Sequence, residues 1–293
     1  RRRGRPMLWV DAISQQALAA LYITRLAKVA GDEETEKEFK ARYEDLKSKL
    51  NTYYWDDQDK CYYDIKEEDQ SKIRILTPAS FWAMLAEVPS QEQAEQMVRF
   101  ALQDNKLGGA VPFPSVSRDD EQFYPDGNYW SGGMWLPTSY MSIKALEKYG
   151  FFEEANKAAQ ATLEHQWQTY SQYEPHTIWE CYSPTEPKPA SKTTGHRVTE
   201  VRPDFCGWSA LGPISLFIEN VLGFYDVDAP NATVRWNLHQ TCRHGIKDLS
   251  FGDIVTDIIY EDGIVTVNSN KPYTLYINGQ SYSVRRGETV IEL

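Results

Sequence analysis

The sequence alternates along most of its length between apolar and charged helical patterns. At residues 8–30, apolar positions recur every three or four residues around much of the helix circumference, which predicts a buried helix ended by Gly31. Asp32 then precedes a highly charged segment that runs to about Tyr53 and carries one apolar stripe. This pattern is typical of a surface helix, with Asp32 as its N-cap.

Five further segments continue the alternation. They are predicted as helices at residues 78–87, 90–103, 137–149, 153–168 and 205–222. Buried helices joined to charged partners by short turns predict a toroid of helical hairpins, with a helical solenoid as the alternative. Two long polar segments, 104–133 and 170–203, each precede a buried helix, so we expect them to meet at one end of the toroid and to carry function.

After Asp226 the pattern changes to that of strands. Stretches rich in β-branched and aromatic residues occur at 234–238, 254–260, 264–268, 273–277, 282–284 and 289–291. Turn signals separate several of them, at 261–263, 278–279 and 286–287. The predicted fold class is therefore mainly α, a partial toroid of about seven helices at residues 1–226, followed by a small antiparallel β-sheet domain at residues 227–293.

Charge and composition exclude several classes of protein. The net charge of −11 argues against a nucleic-acid or anionic-membrane binder, and no apolar run approaches the roughly 18 residues of a spanning helix. Four widely spaced cysteines without a CxxC pair predict neither a disulfide framework nor a structural zinc site. No histidine pattern or glycine-rich phosphate loop is present, so we expect no metal and no cofactor.

The composition is instead rich in aromatic residues, with 9 Trp, 18 Tyr and 11 Phe. Such side chains either stack on sugars and other flat ligands or fill a core, and composition leaves both readings open. In the two long segments they stand beside carboxylates, around Asp126 in the first and around Glu180 in the second. A Glu between Trp179 and Tyr182 is partly desolvated, so its pKa can be tuned, although a surface charge or a cap is the simpler interpretation.

Six stretches, in this order, resemble the inverting glycosidases built on an (α/α)6 barrel, a group that includes trehalases, glycoside hydrolase family 63, and the mannosylglycerate and glucosylglycerate hydrolases. They are WVDA at 9–12, YWDD at 54–57 with YYD at 62–64, YWSGGMW at 129–135, KYG at 148–150, WECYSP at 179–184, and FCGWSA at 205–210. The similarity covers residues 7 to about 224.

The resemblance implies a role for several residues. Glu180 corresponds to the general base. The implied sugar-binding residues are Tyr129, Trp130, Gly132, Trp135, Glu200 and Trp208, and Asp126 is a further candidate from the same segment. Ser131 stands where the family usually has Arg, so one polar contact to the substrate is expected to differ.

The resemblance also implies hydrolysis, with inversion, of an α-linked glucoside or mannoside, which would be a disaccharide, an oligosaccharide or a glycosyl-glycerate. The family's general acid is an Asp shortly before the helix that starts here at Met7, and residues 1–6 hold no carboxylate. We therefore expect the N-terminal part of the catalytic domain, and the acid with it, to lie upstream. No signal peptide is visible, and a periplasmic or secreted location is compatible with the family.

Two other classes of function remain open. A non-catalytic, carbohydrate-binding helical toroid would keep the aromatic pocket without hydrolysis. A helical scaffold that binds protein would have no such pocket, and it predicts that Glu180 lies far from Trp130 and Trp135. The expected partner of the protein is a carbohydrate substrate.

Overall fold

The computed structural model describes residues 6–293, so the basic stretch Arg1 to Arg5 lies outside the described residues. The chain divides into two compact units, the first ending at Leu211 and the second spanning Gly212–Leu293. The division falls within the last predicted helix rather than at residue 226. The assignment of the two predicted domains stays a prediction.

Helices dominate the first unit. Its α-helices are α1 (Val10–Ala30), α2 (Glu33–Lys49), α3 (Phe81–Leu85), α4 (Gln91–Ala101), α5 (Leu136–Lys148) and α6 (Phe152–Gln172). A π-helical turn at Leu50–Tyr54 extends α2, and a 3-10 turn at Pro78–Ser80 leads into α3. The six segments predicted as helical in this unit are therefore confirmed.

Helix ends follow the local chemistry of the sequence. Gly31 ends α1 in the left-handed conformation, with φ of 72°, where a glycine has no Cβ to clash. The Asp32 side chain accepts a hydrogen bond from the backbone N–H of Thr35 at 3.0 Å, which caps α2 as predicted. Ser90 and Gln93 form a reciprocal capping box at the start of α4.

The helices predicted as buried and those predicted as exposed differ less in burial than their composition predicts. Helix α5 is buried over much of its surface, whereas α2 buries only Tyr43. Helix α1 packs against α2 and α3 through a stripe of small residues that includes Ala17 and Ala20. On its other side Leu26 and Val29 are 67% and 85% exposed, so α1 is less buried than predicted.

The strands of the first unit are short. They are β1 (Met7–Leu8), β2 (Trp55–Asp56), β3 (Cys61–Tyr62), β4 (Asp64–Lys66), β5 (Lys72–Ile73), β6 (Ser191–Thr194) and β7 (Arg197–Glu200). Strands β1, β4 and β5 form one sheet in the order β1-β4-β5, while β2–β3 and β6–β7 are two-stranded. The second long segment, expected to be a loop, thus contains an ordered hairpin.

The second unit begins with a helix and continues as strands. A 3-10 turn at Trp208–Leu211 ends the first unit, and a π-helical segment, α7 (Gly212–Val221), follows. The single helix predicted for 205–222 is therefore wrong in its extent, since Pro213 has no N–H to continue a regular ladder. The strands are β8 (Phe224–Asp228), β9 (Thr233–Trp236), β10 (His244–Phe251), β11 (Ile254–Glu261), β12 (Ile264–Ser269), β13 (Tyr273–Ile277), β14 (Gln280–Val284) and β15 (Gly287–Glu292).

These eight strands form two four-stranded sheets, in the orders β10-β11-β12-β15 and β14-β13-β9-β8. The predicted β domain is confirmed in kind, but it is not purely antiparallel, because β13 pairs with β9 in parallel. Fully buried side chains such as Trp236, Ile258 and Leu275 form its core. Strand β10 was missed by the sequence because a bulge between Ile246 and Leu249 breaks its alternation.

Candidate active site

A ladder of backbone hydrogen bonds joins the two long segments. We call residues 126–135 the Trp loop and residues 178–184 the Glu loop. The N–H of Met134 donates to the carbonyl of Tyr182 at 2.8 Å, and the N–H of Tyr182 donates back to the carbonyl of Met134 at 3.0 Å. Single bridges continue this pairing to Pro114 on one side and Pro189 on the other. The tryptophans and Glu180 are thereby held side by side.

Glu180 is 9% exposed and is fixed through both its backbone and its side chain. Its N–H donates to the carbonyl of Arg202 at 3.0 Å, and its carbonyl accepts from Nε1 of Trp208 at 3.0 Å. The phenol of Tyr129 donates to Oε1 of the carboxylate, also at 3.0 Å. Such a network gives the carboxylate one defined orientation.

The second carboxylate oxygen of Glu180 has no hydrogen-bond partner in the described part of the chain. Only Oε1 accepts a hydrogen bond, from Tyr129, and the residue as a whole is 9% exposed. An ionised carboxylate is an acceptor only, and it can take a proton from a water molecule within hydrogen-bond reach. The arrangement therefore suits a general base.

Tyr129 is suited to remain a donor to this carboxylate. Burial, together with its hydrogen bond to Glu180 and the charge of Glu180, raises the pKa of Tyr129 to about 12. The neighbouring Cys181 is buried, which raises the pKa of its thiol and keeps it neutral. A positive charge is also close, since Nζ of Lys192 lies 4.5 Å from the centre of the Tyr129 ring.

Stacked tryptophans form a wall beside Glu180. The rings of Trp130 and Trp135 are 3.9 Å apart and nearly parallel, at 2°, and the ring of Tyr129 meets Trp135 edge-on at 4.7 Å. Trp135 is only 1% exposed, whereas Trp130 and Trp208 are 54% and 40% exposed. Trp130 and Trp208 are thus partly open to solvent, and Trp135 stacks on one face of Trp130.

Two glycines let the Trp loop fold back on itself. A Cβ on Gly133 would lie 2.5 Å from the carbonyl oxygen of Tyr129, and one on Gly132 would lie 2.6 Å from that of Tyr124. Gly132 also has φ of 147°, within the range that favours glycine. The predicted site residue Gly132 therefore acts by shaping the backbone.

Asp126 and Glu200 lie around a different space. They belong to the lining of an open cavity of about 440 Å³, whose other lining residues are Tyr173, Lys188, Pro189, Ser191, Val198 and Thr199. The phenol of Tyr173 donates to Glu200, and this bond raises the pKa of Tyr173. In the β6–β7 hairpin Ser191 pairs with Glu200, and Lys192 pairs with Thr199. Paired residues point to the same side and neighbouring residues to opposite sides, so Glu200 and Lys192 project from opposite faces of the hairpin.

The structure thus groups the predicted residues into two sets. Glu180 lies with Tyr129, Trp130, Gly132, Trp135 and Trp208, whereas Asp126 and Glu200 border the separate cavity. The sequence analysis missed Lys192 and its hairpin. A signal was present, because β-branched residues flank a turn at Gly195, which has φ of 64°.

Comparison with known proteins decides the family. Residues 4–196 match the model of the mannosylglycerate hydrolase MGH1-like glycoside hydrolase domain. The chain belongs to this family of glycoside hydrolases. The matched range includes the whole Trp loop, Glu180 and Lys192, while Glu200 and Trp208 follow it.

Relatives of this glycosidase domain are mostly longer. An uncharacterized protein of Borreliella burgdorferi is 31% identical over 278 residues, which is 92% of this chain and 57% of that protein. A mannosylglycerate hydrolase of Rubrobacter radiotolerans is 25% identical over 162 residues, 54% of this chain and 36% of the enzyme. The chain therefore spans about half the length, or less, of these curated relatives.

A solved structure shows a similar fold. The mannosylglycerate hydrolase of glycoside hydrolase family 63 from Thermus thermophilus aligns with a TM-score of 0.55 and 20% identity, over 72% of this chain and 45% of that one. Among residues 6–293, no helix is long and apolar enough to cross a membrane. The same residues contain no group of three or more His, Cys, Asp or Glu side chains placed to hold a metal ion.

Proposed function

We propose that the protein hydrolyses an α-linked glucoside or mannoside with inversion of configuration, and that Glu180 is the general base. One observation carries the proposal. Glu180 is a nearly buried carboxylate with one oxygen fixed by Tyr129 and the other without a hydrogen bond among residues 6–293, close to the partly exposed rings of Trp130 and Trp208. Aromatic faces stack on the apolar side of a sugar ring, and the carboxylate then meets a water at the anomeric carbon.

In this mechanism Oε2 of Glu180 removes a proton from the water as it attacks the anomeric carbon. A second carboxyl group protonates the leaving oxygen from the opposite face, and the two carboxyl groups stand roughly 6.5–9.5 Å apart to admit the water. No residue of this chain is assigned as that acid, since the resemblance places it on the N-terminal side of α1. No metal or organic cofactor takes part in the proposed reaction.

The substrate class rests on the relatives. Because related chains are mannosylglycerate hydrolases, we infer that the sugar is a glucosyl or mannosyl unit linked to a second sugar or to glycerate. We further propose that α1 to α6 belong to an (α/α)6 toroid, with the Trp and Glu loops at one end. The pairing of α1 with α2 and of α5 with α6 supports this arrangement.

The test is the anomer that the enzyme releases first. The full-length protein is incubated with trehalose, mannosylglycerate, glucosylglycerate and α-linked oligosaccharides, and proton NMR follows the first-formed sugar. We expect the β-anomer from an α-linked substrate. An α-anomer formed first would contradict the proposal, because net retention requires a closely spaced carboxyl pair and a covalent intermediate. Sugar binding without hydrolysis would favour the carbohydrate-binding toroid.

A further inference from the structure

A lysine stands over the aromatic ring that holds the candidate base. Nζ of Lys192 lies 4.5 Å from the centre of the Tyr129 ring, and the phenol of that ring donates to Glu180 at 3.0 Å. Lys192 is half-buried, and among residues 6–293 it makes no ion pair, in contrast to Lys188, which pairs with Glu186 at 2.6 Å. Its charge is therefore directed to the aromatic ring rather than to a neighbouring carboxylate.

Strand β6 holds this arrangement in place through the backbone of the Trp loop. The N–H of Tyr129 donates to the carbonyl of Ser191 at 2.7 Å, and the N–H of Ser191 donates to the carbonyl of Asp126 at 2.8 Å. The N–H of Asn128 donates to the Ser191 hydroxyl at 3.1 Å, and the Asn128 side chain accepts from the N–H of Thr193 at 3.1 Å. The hairpin is thus bound to the loop on both sides of Lys192.

These contacts also maintain an unfavourable backbone. Asn128 and Tyr129 have φ of 30° and 61°, in the left-handed region that residues with a side chain adopt uncommonly. Such a conformation persists only where its surroundings determine it. Because β6 supplies those surroundings, the place of the Tyr129 phenol depends on the hairpin.

We propose that Lys192 is a positioning residue for the general base: its ammonium group, held over Tyr129 by the β6–β7 hairpin, fixes the phenol that orients Glu180. This inference rests on the proposed function, in which Glu180 is the base. A cation over the face of a phenol is attracted by the ring and restrains it.

Other groups around Glu180 do not replace this charge. Tyr129 comes from the Trp loop and Cys181 from the Glu loop, and both have raised pKa values that keep them neutral. Trp208, from the turn after the Glu loop, contacts Glu180 through a neutral N–H. The guanidinium of Arg202 lies over the ring of Phe205, at 5.5 Å. Among these neighbours, Lys192 is the cation directed at the Tyr129–Glu180 pair.

The test uses Lys192→Met, which keeps the length of the side chain and removes its charge. Loss of the cation releases the Tyr129 ring, and with it the carboxylate that the phenol orients, so kcat should fall severalfold with KM nearly unchanged. Lys192→Arg is expected to restore kcat. Lys47→Met is the matched control, since it removes a cation 5.6 Å from the Tyr43 ring in α2 and should leave kcat in place.

A second readout does not depend on turnover. NMR of the Tyr129 ring, in protein without substrate, should show displaced ring resonances in Lys192→Met, and Lys192→Arg should restore them. In a Tyr129→Phe background Lys192→Met should lower kcat little further, because Lys192 acts through that phenol. Unchanged Tyr129 resonances in a folded Lys192→Met variant would overturn the inference, and so would an increase in KM alone.

The two proposals fail differently. If Glu180→Gln abolishes turnover while Lys192→Met leaves kcat and the Tyr129 resonances unchanged, only the positioning role is wrong. If Glu180→Gln remains active, the assignment of the base is wrong, whatever the Tyr129 resonances show.

Discussion

At the scale of the residue, the hydrogen bond from Tyr129 to Glu180 has a measurable consequence. Tyr129→Phe keeps the ring and removes a donor to an ionised carboxylate, an interaction worth about 1.5–3 kcal/mol. We expect a loss of about tenfold or more in kcat, because the carboxylate loses the donor that orients it. The measurement is kcat in the full-length protein, with Tyr53→Phe, at an exposed position, as the control.

The raised pKa of Tyr129 gives this prediction a further check. The pKa of about 12 lies above the usual value of 10, so the hydrogen bond persists as pH rises through 10 and is lost only as pH approaches 12. Ultraviolet titration of phenolates should therefore give the same absorbance change near pH 10 in the folded wild type and in folded Tyr129→Phe, because Tyr129 does not yet ionise there. Ionisation of Tyr129 near pH 10 in the folded protein would contradict the geometry.

His165 connects α6 to the Glu loop and makes stability depend on pH. Its Nε2 bonds the carbonyl of Ser183 at 2.8 Å, and because a carbonyl only accepts, this nitrogen carries the proton. Burial lowers the pKa of His165, so the neutral form is favoured in the folded state. The stability that neutral His165 contributes is present above about pH 6.5, the pKa of a histidine in the unfolded chain. It is lost as the pH falls through the lower pKa that His165 has in the folded protein.

We therefore expect the wild type to lose stability relative to His165→Gln as pH is lowered from 7 to 5. Glutamine keeps an N–H donor but does not titrate. The free energy of unfolding, from urea denaturation at each pH, measures the difference. A difference between the two proteins that stays constant over this range would show that His165 does not change its protonation on unfolding.

At the scale of the element, the shape of the Trp loop depends on Gly133. A Cβ there would lie 2.5 Å from the Tyr129 carbonyl oxygen, so Gly133→Ala forces the backbone that carries Tyr129 to move. We expect a loss of stability of about 1–3 kcal/mol and a large loss of kcat. Gly150→Ala is the control, since its φ of 80° strains the backbone but nothing lies within 4 Å of the added Cβ.

Melting temperature and kcat of the two glycine variants distinguish strain in the backbone of the substituted residue from displacement of the Trp loop. Gly150→Ala should be destabilised by about 1 kcal/mol and keep its activity. If Gly133→Ala behaved in the same way, the close approach within the Trp loop would not matter for the site.

The elements differ in how far the sequence predicts them. Helices α1 and α2 follow from 3.6-residue periodicity, and their shared boundary follows from Gly31 and the Asp32 cap, because these signals are local. Strand β10 was missed because its bulge disrupts the alternation on which strand prediction depends. The β6–β7 hairpin was missed because it is mostly exposed and polar on both faces. Its sequence therefore lacks the alternation of apolar and polar residues that predicts a half-buried strand.

Prediction of the candidate site from the sequence is limited in the same way. The resemblance of the six stretches to the glycosidase family was enough to assign Glu180, Tyr129 and Trp130 to one site. It was not enough to place Glu200, whose position depends on the register of β6 against β7. A shift of one residue in that register would send Glu200 to the face now occupied by Lys192. Register is set by long-range pairing that the local pattern does not contain.

At the scale of the whole molecule, the division into two compact units predicts that a cavity in the core of one unit destabilises mainly that unit. Leu275 and Leu136 are both fully buried, the first in the β-sheet core and the second in α5. Replacing either with Ala should cost about 2–5 kcal/mol. Amide hydrogen exchange should then show the loss of protection mainly in residues 212–293 for Leu275→Ala and mainly in residues 6–211 for Leu136→Ala. Equal loss across the chain for both variants would contradict two compact units.

The central claim is that Glu180 is the base, and kcat of Glu180→Gln in the full-length protein tests it most directly, with Glu200→Gln measured beside it. Glutamine keeps the size of the side chain and its acceptor for Tyr129, but it cannot take the proton from water. The account predicts that Glu180→Gln lowers kcat about 10²–10⁴-fold with the fold and KM little changed, and that Glu200→Gln has a much smaller effect. Near-normal turnover by Glu180→Gln, with loss of turnover in Glu200→Gln, would contradict the account and make Glu200 the base.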